Sequence, residues 1–533
     1  MIESKFNLLD EPWIVATNLS GQEEMLSVTE TLVRSHELKG LSGEMPAQDI
    51  AIMRLLLGVL YAIYTRTAEY KEAQNTGSQD LPIEIWKAIW EQKHFEKEKI
   101  QKYLYKYYDR FWLIHAERPF YQVVGIDKGS EFTSAKMIGE LVEGGNKIQL
   151  FPIRTGKSKQ FLEYPEAARW LLYLNSFDDA SAKPTQKGLE SMSVGWLGRL
   201  GLVYALGDNL FETLMLNFSL LNNGEPWNSG NATWELDTPR VGERTPIPIP
   251  NSAEELYTLQ SRRIQLKWEN DKLIGFSLLG GDQASIENAF VEPMTYWKKS
   301  KSKENQNDVF SPPSNVSRNP TKQLWRDFAP LLIKSEENYL PGVIDWINRI
   351  DIISARQINI CTLLIKYGNM QSGVDDVWSD SLSINASLLL KLGEDWIIRI
   401  ANLVSLTEEL VKILGNLATN IDIASGSPDG KGQRIAIQEQ AYAALDMPFR
   451  NWLAEIDPEN HDIDITCSTW INLAKKIILF HGESVVIKSG SKAFVGRNVN
   501  INGKEEYYNA PKAYGWFKSR IFNKIKDSGY ERS

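Results

Sequence analysis

Apolar and polar positions follow different rhythms in the two ends of this chain. Over residues 384–420, Leu388, Leu389, Trp396, Ile397, Ile400, Leu403 and Leu410 recur at helical spacing, which predicts one long amphipathic helix. Residues 433–455 continue the period, and Pro448 inside them is expected to kink that helix. Two further helices are predicted over 465–481 and 507–527. Between the four lie a Gly-, Ser- and Asp-rich loop at 421–433, a break at 457–464, and a Gly-, Ser-, Lys- and Asn-rich stretch at 482–503. Four amphipathic helices at a chain end pack most simply as a four-helix bundle.

The first ~380 residues show no single period. Apolar runs at 6–15 and 266–278 look strand-like, and stretches at 49–68 and 165–175 look helical. Residues 237–251 hold four prolines, and the polar stretch 298–320 holds three, so both are expected to be loops. The order is irregular, without the βαβα alternation of a doubly wound sheet, and no internal repeat is present. The expected fold class is α+β: a large mixed domain over residues 1–380, followed by a four-helix bundle over 381–533.

At 533 residues the chain is long enough for two or three domains. The longest apolar stretch, 51–64, is interrupted by Arg54 and is too short to span a bilayer, so it predicts a buried helix and no membrane partner. Met1–Glu11 is polar and acidic and predicts no export signal. Cys361 and Cys467 are the only cysteines, too few for a disulfide framework or a four-thiolate zinc site, which fits a reducing cytoplasm. The net charge of −9 argues against nucleic acid as a partner. Its distribution changes that: from Ile465 onward there are 12 Lys and Arg against 5 Asp and Glu, which leaves the rest of the chain at −16. Such polarity lets one surface approach phosphate while the remainder repels it, although a solvated basic helix face accounts for the same numbers.

Catalytic patterns are sparse. None of the five histidines (His36, His94, His115, His461, His481) forms an HExxH pair or an i,i+4 pair. The doublet His461-Asp462 lies alone in an acidic interhelix loop. His115 in Ile114-His115-Ala116-Glu117-Arg118-Pro119 has a carboxylate nearby, as a base and its orienter would, but a histidine beside a proline turn more often fixes backbone. Gly426-Ser-Pro-Asp-Gly430-Lys431-Gly432 has three residues between its first glycines where a phosphate-binding loop needs four, and Gly follows the lysine where a Ser or Thr belongs. No G-x-S-x-G elbow occurs. No metal or cofactor is implied.

Three loops have nucleic-acid character. Gly144–Lys157 combines glycines, Asn146, Lys147, Gln149, Phe151, Arg154 and Lys157: cations and amides that reach phosphates and base edges, with an aromatic that can stack or wedge. Lys183-Pro-Thr-Gln-Lys187-Gly188 is a short basic loop whose glycine permits close backbone approach. Lys298, Lys299, Lys301 and Lys303 form a third cluster. A solvated loop is the plain alternative for each.

An ordered series of segments goes further. Phe6-Asn7-Leu8-Leu9-Asp10-Glu11-Pro12-Trp13-Ile14, Phe111–Gln122, Asn146–Phe151 with Ala167–Leu172, Gly195-Trp196-Leu-Gly198, Thr233-Trp234-Glu235, Gln260–Leu266 and Leu324-Trp325-Arg326 together resemble the CasA family, the large subunit of the type I-E CRISPR Cascade complex of antiviral defence. The resemblance covers nearly the whole chain. It implies a cytoplasmic, non-catalytic subunit that binds target double-stranded DNA, senses the PAM through the minor groove and helps open the duplex for guide-RNA pairing. The implied partners are the guide RNA–protein complex with the other Cascade subunits and the CRISPR helicase-nuclease. The alternatives are a metal-dependent nuclease or nucleotide-processing enzyme, and a purely structural scaffold.

The resemblance also implies a site. Asn146, Lys147, Phe151, Arg154 and Lys157 match its DNA-contacting loop. Its glycine-rich PAM loop falls between Lys183 and Gly195, where this chain offers Lys187 and Gly188. Its lysine finger falls at 279–283, where Gly280-Gly281 stands instead, with Lys298 or Lys299 as substitutes. Its wedge falls at 339–343, where Tyr339 or Leu340 is available and no glutamine occurs. Some relatives carry a cysteine-rich zinc site, for which this chain lacks the cysteines.

Overall fold

A charged residue at the centre of an apolar helix shows how the first part of the chain is built. The computed structural model describes residues 4–126, 129–138, 154–181, 192–301, 307–313, 322–351, 357–427, 432–501 and 504–530. Helix α1 (Pro46–Tyr64) has Pro at its first turn, where a missing N–H costs nothing, and buries nearly its whole length. By length and composition α1 would suffice to cross a membrane, but 89% of its most apolar window lies inside the protein. Arg54 is buried and sends Nη1 and Nη2 to the two oxygens of Glu292 at 2.8 and 3.0 Å. Glu292 also accepts the Trp196 indole N–H at 2.8 Å and the Met294 N–H at 3.1 Å. Both charges are therefore fully hydrogen-bonded, the condition under which a buried ion pair is tolerated.

The chain divides into two units. The first contains Met1–Pro320, Lys334–Ile352 and Asn359–Ser381. Here α1 packs against helix α2 (Tyr164–Phe177). Beside them, β1 (Arg262–Glu269) and β2 (Lys272–Gly280) form an antiparallel hairpin, with Phe276 of β2 facing Phe132 of a third strand, Ser130–Thr133. The strand-like run at 266–278 is thus two strands. Asn270 and Asp271 both take positive φ (49° and 60°), the conformation that a tight hairpin turn requires and that Asn and Asp tolerate. The run at 6–15 also divides, into Lys5–Asn7 and Ile14–Asn18, because the Asn7 side chain accepts the Leu9 N–H and closes a turn between them.

The stretch 298–320 corrects the loop expectation more sharply. It contributes β3 (Trp297–Lys301) and β4 (Asp308–Ser311), and β5 (Asn338–Tyr339) joins them in the order β4-β3-β5, all antiparallel. Lysine-rich composition hid the strands, whose pairing is supported by buried Trp297 on one face and buried Val309 on the other.

The second unit contains Thr321–Ile333, Ile353–Ile358 and Leu382–Ser533. Helices α3 (Glu394–Ser425), α4 (Gly432–Ala454), α5 (Ile463–Ile487) and α6 (Ala510–Asp527) form its body, and α3 packs against each of the other three. Two short segments ahead of residue 381 belong with these helices. The reason is visible in one of them: Trp325 stacks on Phe449 of α4 (centroids 4.6 Å apart, planes at 27°) and donates its indole N–H to Asp446 at 3.0 Å. Phe449 in turn meets Trp470 of α5 edge-on at 4.9 Å, and Trp470 donates to the Thr407 hydroxyl of α3 at 3.0 Å.

Boundaries differ from expectation for local reasons. α3 begins at Glu394, not at 384, because Asn385 caps a 3-10 turn through the Ser387 N–H. Left-handed Gly426 (φ 106°) ends it. α5 runs on to Ile487, and the Gly- and Lys-rich stretch after it forms a short helix, Gly490–Val495, and a hairpin of Arg497–Ile501 with Lys504–Tyr508. The Asn-Gly pair at 502–503 is the sequence signal for that hairpin. Pro448 does lie inside α4.

Candidate nucleic-acid interface

The sheet β4-β3-β5 brings together residues that are distant in sequence. Alternation along β3 puts Trp297, Lys299 and Lys301 on one face and Lys298 and Ser300 on the other. Cross-strand register places Phe310 opposite Lys299, Asp308 opposite Lys301, and Tyr339 opposite Trp297. One face therefore carries Trp297, Lys299, Lys301, Asp308, Phe310 and Tyr339. Lys298 faces the other way, with its ammonium 5.4 Å from the Tyr296 ring. Lys298 and Lys299 cannot both serve one ligand lying on one face.

The exposed face is a set of cations over an aromatic floor. Tyr339 stacks on Phe290 (4.3 Å, 24°) and meets Phe310 edge-on at 5.2 Å. The Lys334 ammonium lies 5.2 Å from the Tyr339 centroid. The ring is thus held from several sides, and it serves as a floor more readily than as an inserting wedge. Leu340, next along the chain and half-buried, precedes Pro341 at the start of the helix Gly342–Ile350. Lys301 pairs with Asp308 at 2.5 Å, and Lys299 lies 3.4 Å from Glu337 and 3.8 Å from Asp308. The hydrogen bond from Lys301 and the charge of Lys299 hold the Asp308 carboxyl below its usual range. Such exposed pairs are screened by water and salt and contribute little, so a phosphate can displace the carboxylates.

The position of the expected lysine finger is sterically closed. A Cβ on Gly281 would lie 2.4 Å from the Gln260 carbonyl, so only glycine fits there. Gln283 accepts the Ser193 N–H at 2.7 Å and anchors one stem of the segment that contains Lys187 and Gly188. Those two residues lie outside the described residues, as do Asn146, Lys147 and Phe151. Sequence reasoning missed the anchors of this segment: Arg262, Lys136 and Asp179. Asp179 accepts from the Lys136 ammonium and from the Ser181 and Gly373 N–H groups. Burial raises its carboxyl, but Lys136 prevails and holds it well below the usual range.

Arg154 and Lys157 differ in kind. The Arg154 guanidinium is 3.0 Å from Glu44 and 2.6 Å from Glu166 at the start of α2. It is a strut that ties the chain to α2, with little charge left for a phosphate. Lys157 projects into solvent from the 3-10 turn Gly156–Lys159.

The histidines take up backbone. His115 Nδ1 accepts the N–H groups of Glu117 (3.1 Å) and Arg118 (3.0 Å) and fixes the turn before Pro119. His461 Nδ1 accepts the Asp457 N–H, and Asp462 caps α5 through the Ile465 N–H. Among the described residues no group of three His, Cys, Asp or Glu side chains comes together to hold a metal ion.

Comparison with known proteins places this chain, with its mixed α/β unit, its helical unit and its cationic sheet face, among the CRISPR-associated proteins. Residues 7–479 match the family model described as CRISPR-associated protein Cse1, and the chain belongs to that family. It is 27% identical over 336 residues to the CRISPR-associated protein CasA/Cse1 of Thermus thermophilus, a match that spans 62% of this chain and 60% of that protein, less than two thirds of its length. The crystal structure of Thermobifida fusca Cse1 superposes with a TM-score of 0.82 at 25% identity, covering 98% of both chains. A chain of a structure titled CRISPR RNA-guided surveillance complex matches with a TM-score of 0.68 at 16% identity, over 91% of this chain and 100% of that one, a likeness of fold.

Proposed function

We propose that the chain is the large subunit of a type I-E Cascade complex. It binds target duplex DNA, senses the PAM, helps open the duplex for guide-RNA pairing and recruits the helicase-nuclease, without catalysis of its own, in the cytoplasm. Family membership supports assembly with a guide RNA–protein complex. The observation that carries DNA contact is the β3 face, where Lys299, Lys301 and the Phe310–Tyr339 floor meet at the wedge region implied by the resemblance. A sheet face with cations and rings reads duplex shape and phosphate by contact alone, so the proposed role needs no reactive group.

Reconstitution of the complex with and without this chain tests the reading. PAM-dependent duplex binding should be lost without the chain and restored by adding it. Unchanged PAM-dependent binding in its absence overturns the proposal. Mg²⁺-dependent cleavage of DNA by the chain alone would replace it with the nuclease reading.

A further inference from the structure

A second cationic feature lies in the first unit, away from the β3 sheet and built on the segment around His115. A small cleft open to solvent is walled by Phe120, Tyr121 and Trp234 and edged by Arg110, Arg118 and Arg240. None of the residues lining it is acidic, in a chain whose net charge is −9. Arg240 is committed to Glu255 (2.6 Å) and Asp282 (3.3 Å). The guanidinium groups of Arg110 and Arg118 make no hydrogen bond or ion pair with any described residue.

The backbone that carries these two arginines is fixed. Arg110 ends the 3-10 turn Tyr108–Arg110, and the next residue, Phe111, is fully buried. Arg118 sits in the turn whose N–H groups His115 accepts. Phe120 closes that turn by donating its N–H to the Trp112 carbonyl at 2.8 Å, and Gln122 donates to the Leu113 carbonyl at 2.9 Å. Arginines without a partner among the described residues, carried beside aromatic walls on backbone fixed by these hydrogen bonds, can donate to an acceptor.

We propose that this cleft is an anion site that takes a phosphate group between Arg110 and Arg118. Two planar guanidinium forks can present parallel N–H pairs to phosphate oxygens, and no carboxylate in the lining competes for them. The site is separate from the β3 face, and it stands or falls independently of PAM sensing. The phosphate has two sources, a nucleic-acid backbone or a free inorganic or nucleotide phosphate.

The test uses the full chain. Sodium phosphate is titrated against sodium chloride at constant ionic strength, and the rise in melting temperature is followed. A ten-residue oligothymidylate is titrated in parallel. Phosphate should raise the melting temperature of the wild type, and Arg110→Ala/Arg118→Ala should weaken its apparent affinity at least five-fold. Arg110→Lys/Arg118→Lys, which keeps both charges but not the forks, should fall between them, and it decides the matter if the alanine pair fails to fold. Tighter binding of the oligonucleotide than of phosphate identifies a strand backbone as the source. Equal binding identifies a free phosphate, and either result upholds the site. Failure of both ligands to protect the wild type, or equal protection of wild type and variants, overturns it.

Discussion

Arg262 and Asp178 form a fully buried ion pair, with Nε 2.5 Å from Oδ2, and the same guanidinium clasps both ends of a candidate DNA-contacting segment. Its Nη2 donates to the carbonyls of Asp178 and Asp179 on one side and of Ser193 on the other, at 3.2, 2.9 and 2.8 Å. Its Nη1 donates to the Ser261 carbonyl at 2.8 Å. The segment carrying Lys187 and Gly188 therefore leaves and re-enters the fold at one fixed point. A planar five-donor group is the side chain that can serve so many carbonyls at once.

Arg262→Lys should show this. A lysine keeps the charge but not the fork, and several buried carbonyls lose their donor. The expected cost is about 2–4 kcal/mol, read as a lower denaturation midpoint of the full chain. Target binding by the reconstituted complex should fall as well, because the stems separate. A change below about 1 kcal/mol would show that the clasp does not hold the two stems.

Why Arg262 escaped the sequence while the bundle did not is a matter of range. Each bundle helix announces itself within its own span, through Leu403, Leu410 or Trp470 at helical spacing. The clasp depends on Asp178, Ser193 and Ser261 meeting in space, and no local pattern encodes that. The same holds for the β3 face: Lys299 was visible as a cation, and Tyr339 as a residue at the right place in a family series, but their common face is a fact of register. The pairing of Arg154 with Glu44, 110 residues away, is likewise set by the fold and not by local sequence.

Asp49 gives a pH-dependent test. It accepts the Gly43 N–H at 2.8 Å near the start of α1. Burial pushes its carboxyl up to about 7, against the opposing pull of that N–H and of Arg169. In the unfolded chain the group ionises near 3.8, so between there and about 7 the folded protein retains a proton that the unfolded chain releases. This contribution to stability is full below pH 3.8 and is lost as pH rises through about 7. Asp49→Asn, which keeps the acceptor oxygen, should be more stable than wild type by on the order of 1 kcal/mol at pH 8. The advantage should shrink as pH falls toward 4. Melting curves of both proteins across that range check it, and a constant difference would refute it.

Phe449 is the keystone of the second unit's core, fully buried between Trp325 and Trp470. Phe449→Ala should cost about 3–5 kcal/mol, because neither indole can close the gap while its N–H stays bonded to Asp446 or Thr407. Phe449→Leu should cost less than half as much. Denaturant melts followed by Trp fluorescence would register both, and near-equal midpoints for the two variants would remove Phe449 from that role.

Lys299 and Lys301 decide whether the β3 face touches DNA. Both project from the same side of β3, and among the described residues both pair with exposed carboxylates, so replacing them leaves the fold intact. Each phosphate contact releases about one counterion, and the slope of log binding constant against log salt records the number. Lys299→Ala/Lys301→Ala should flatten that slope by about 2 in the reconstituted complex and weaken duplex binding most at low salt. Lys298→Ala, on the opposite face, should leave the slope where it is. Were Lys298 to change the slope and the pair on the other face not, the DNA would have to lie against the Tyr296 side of the sheet, and the assignment of the face would be reversed.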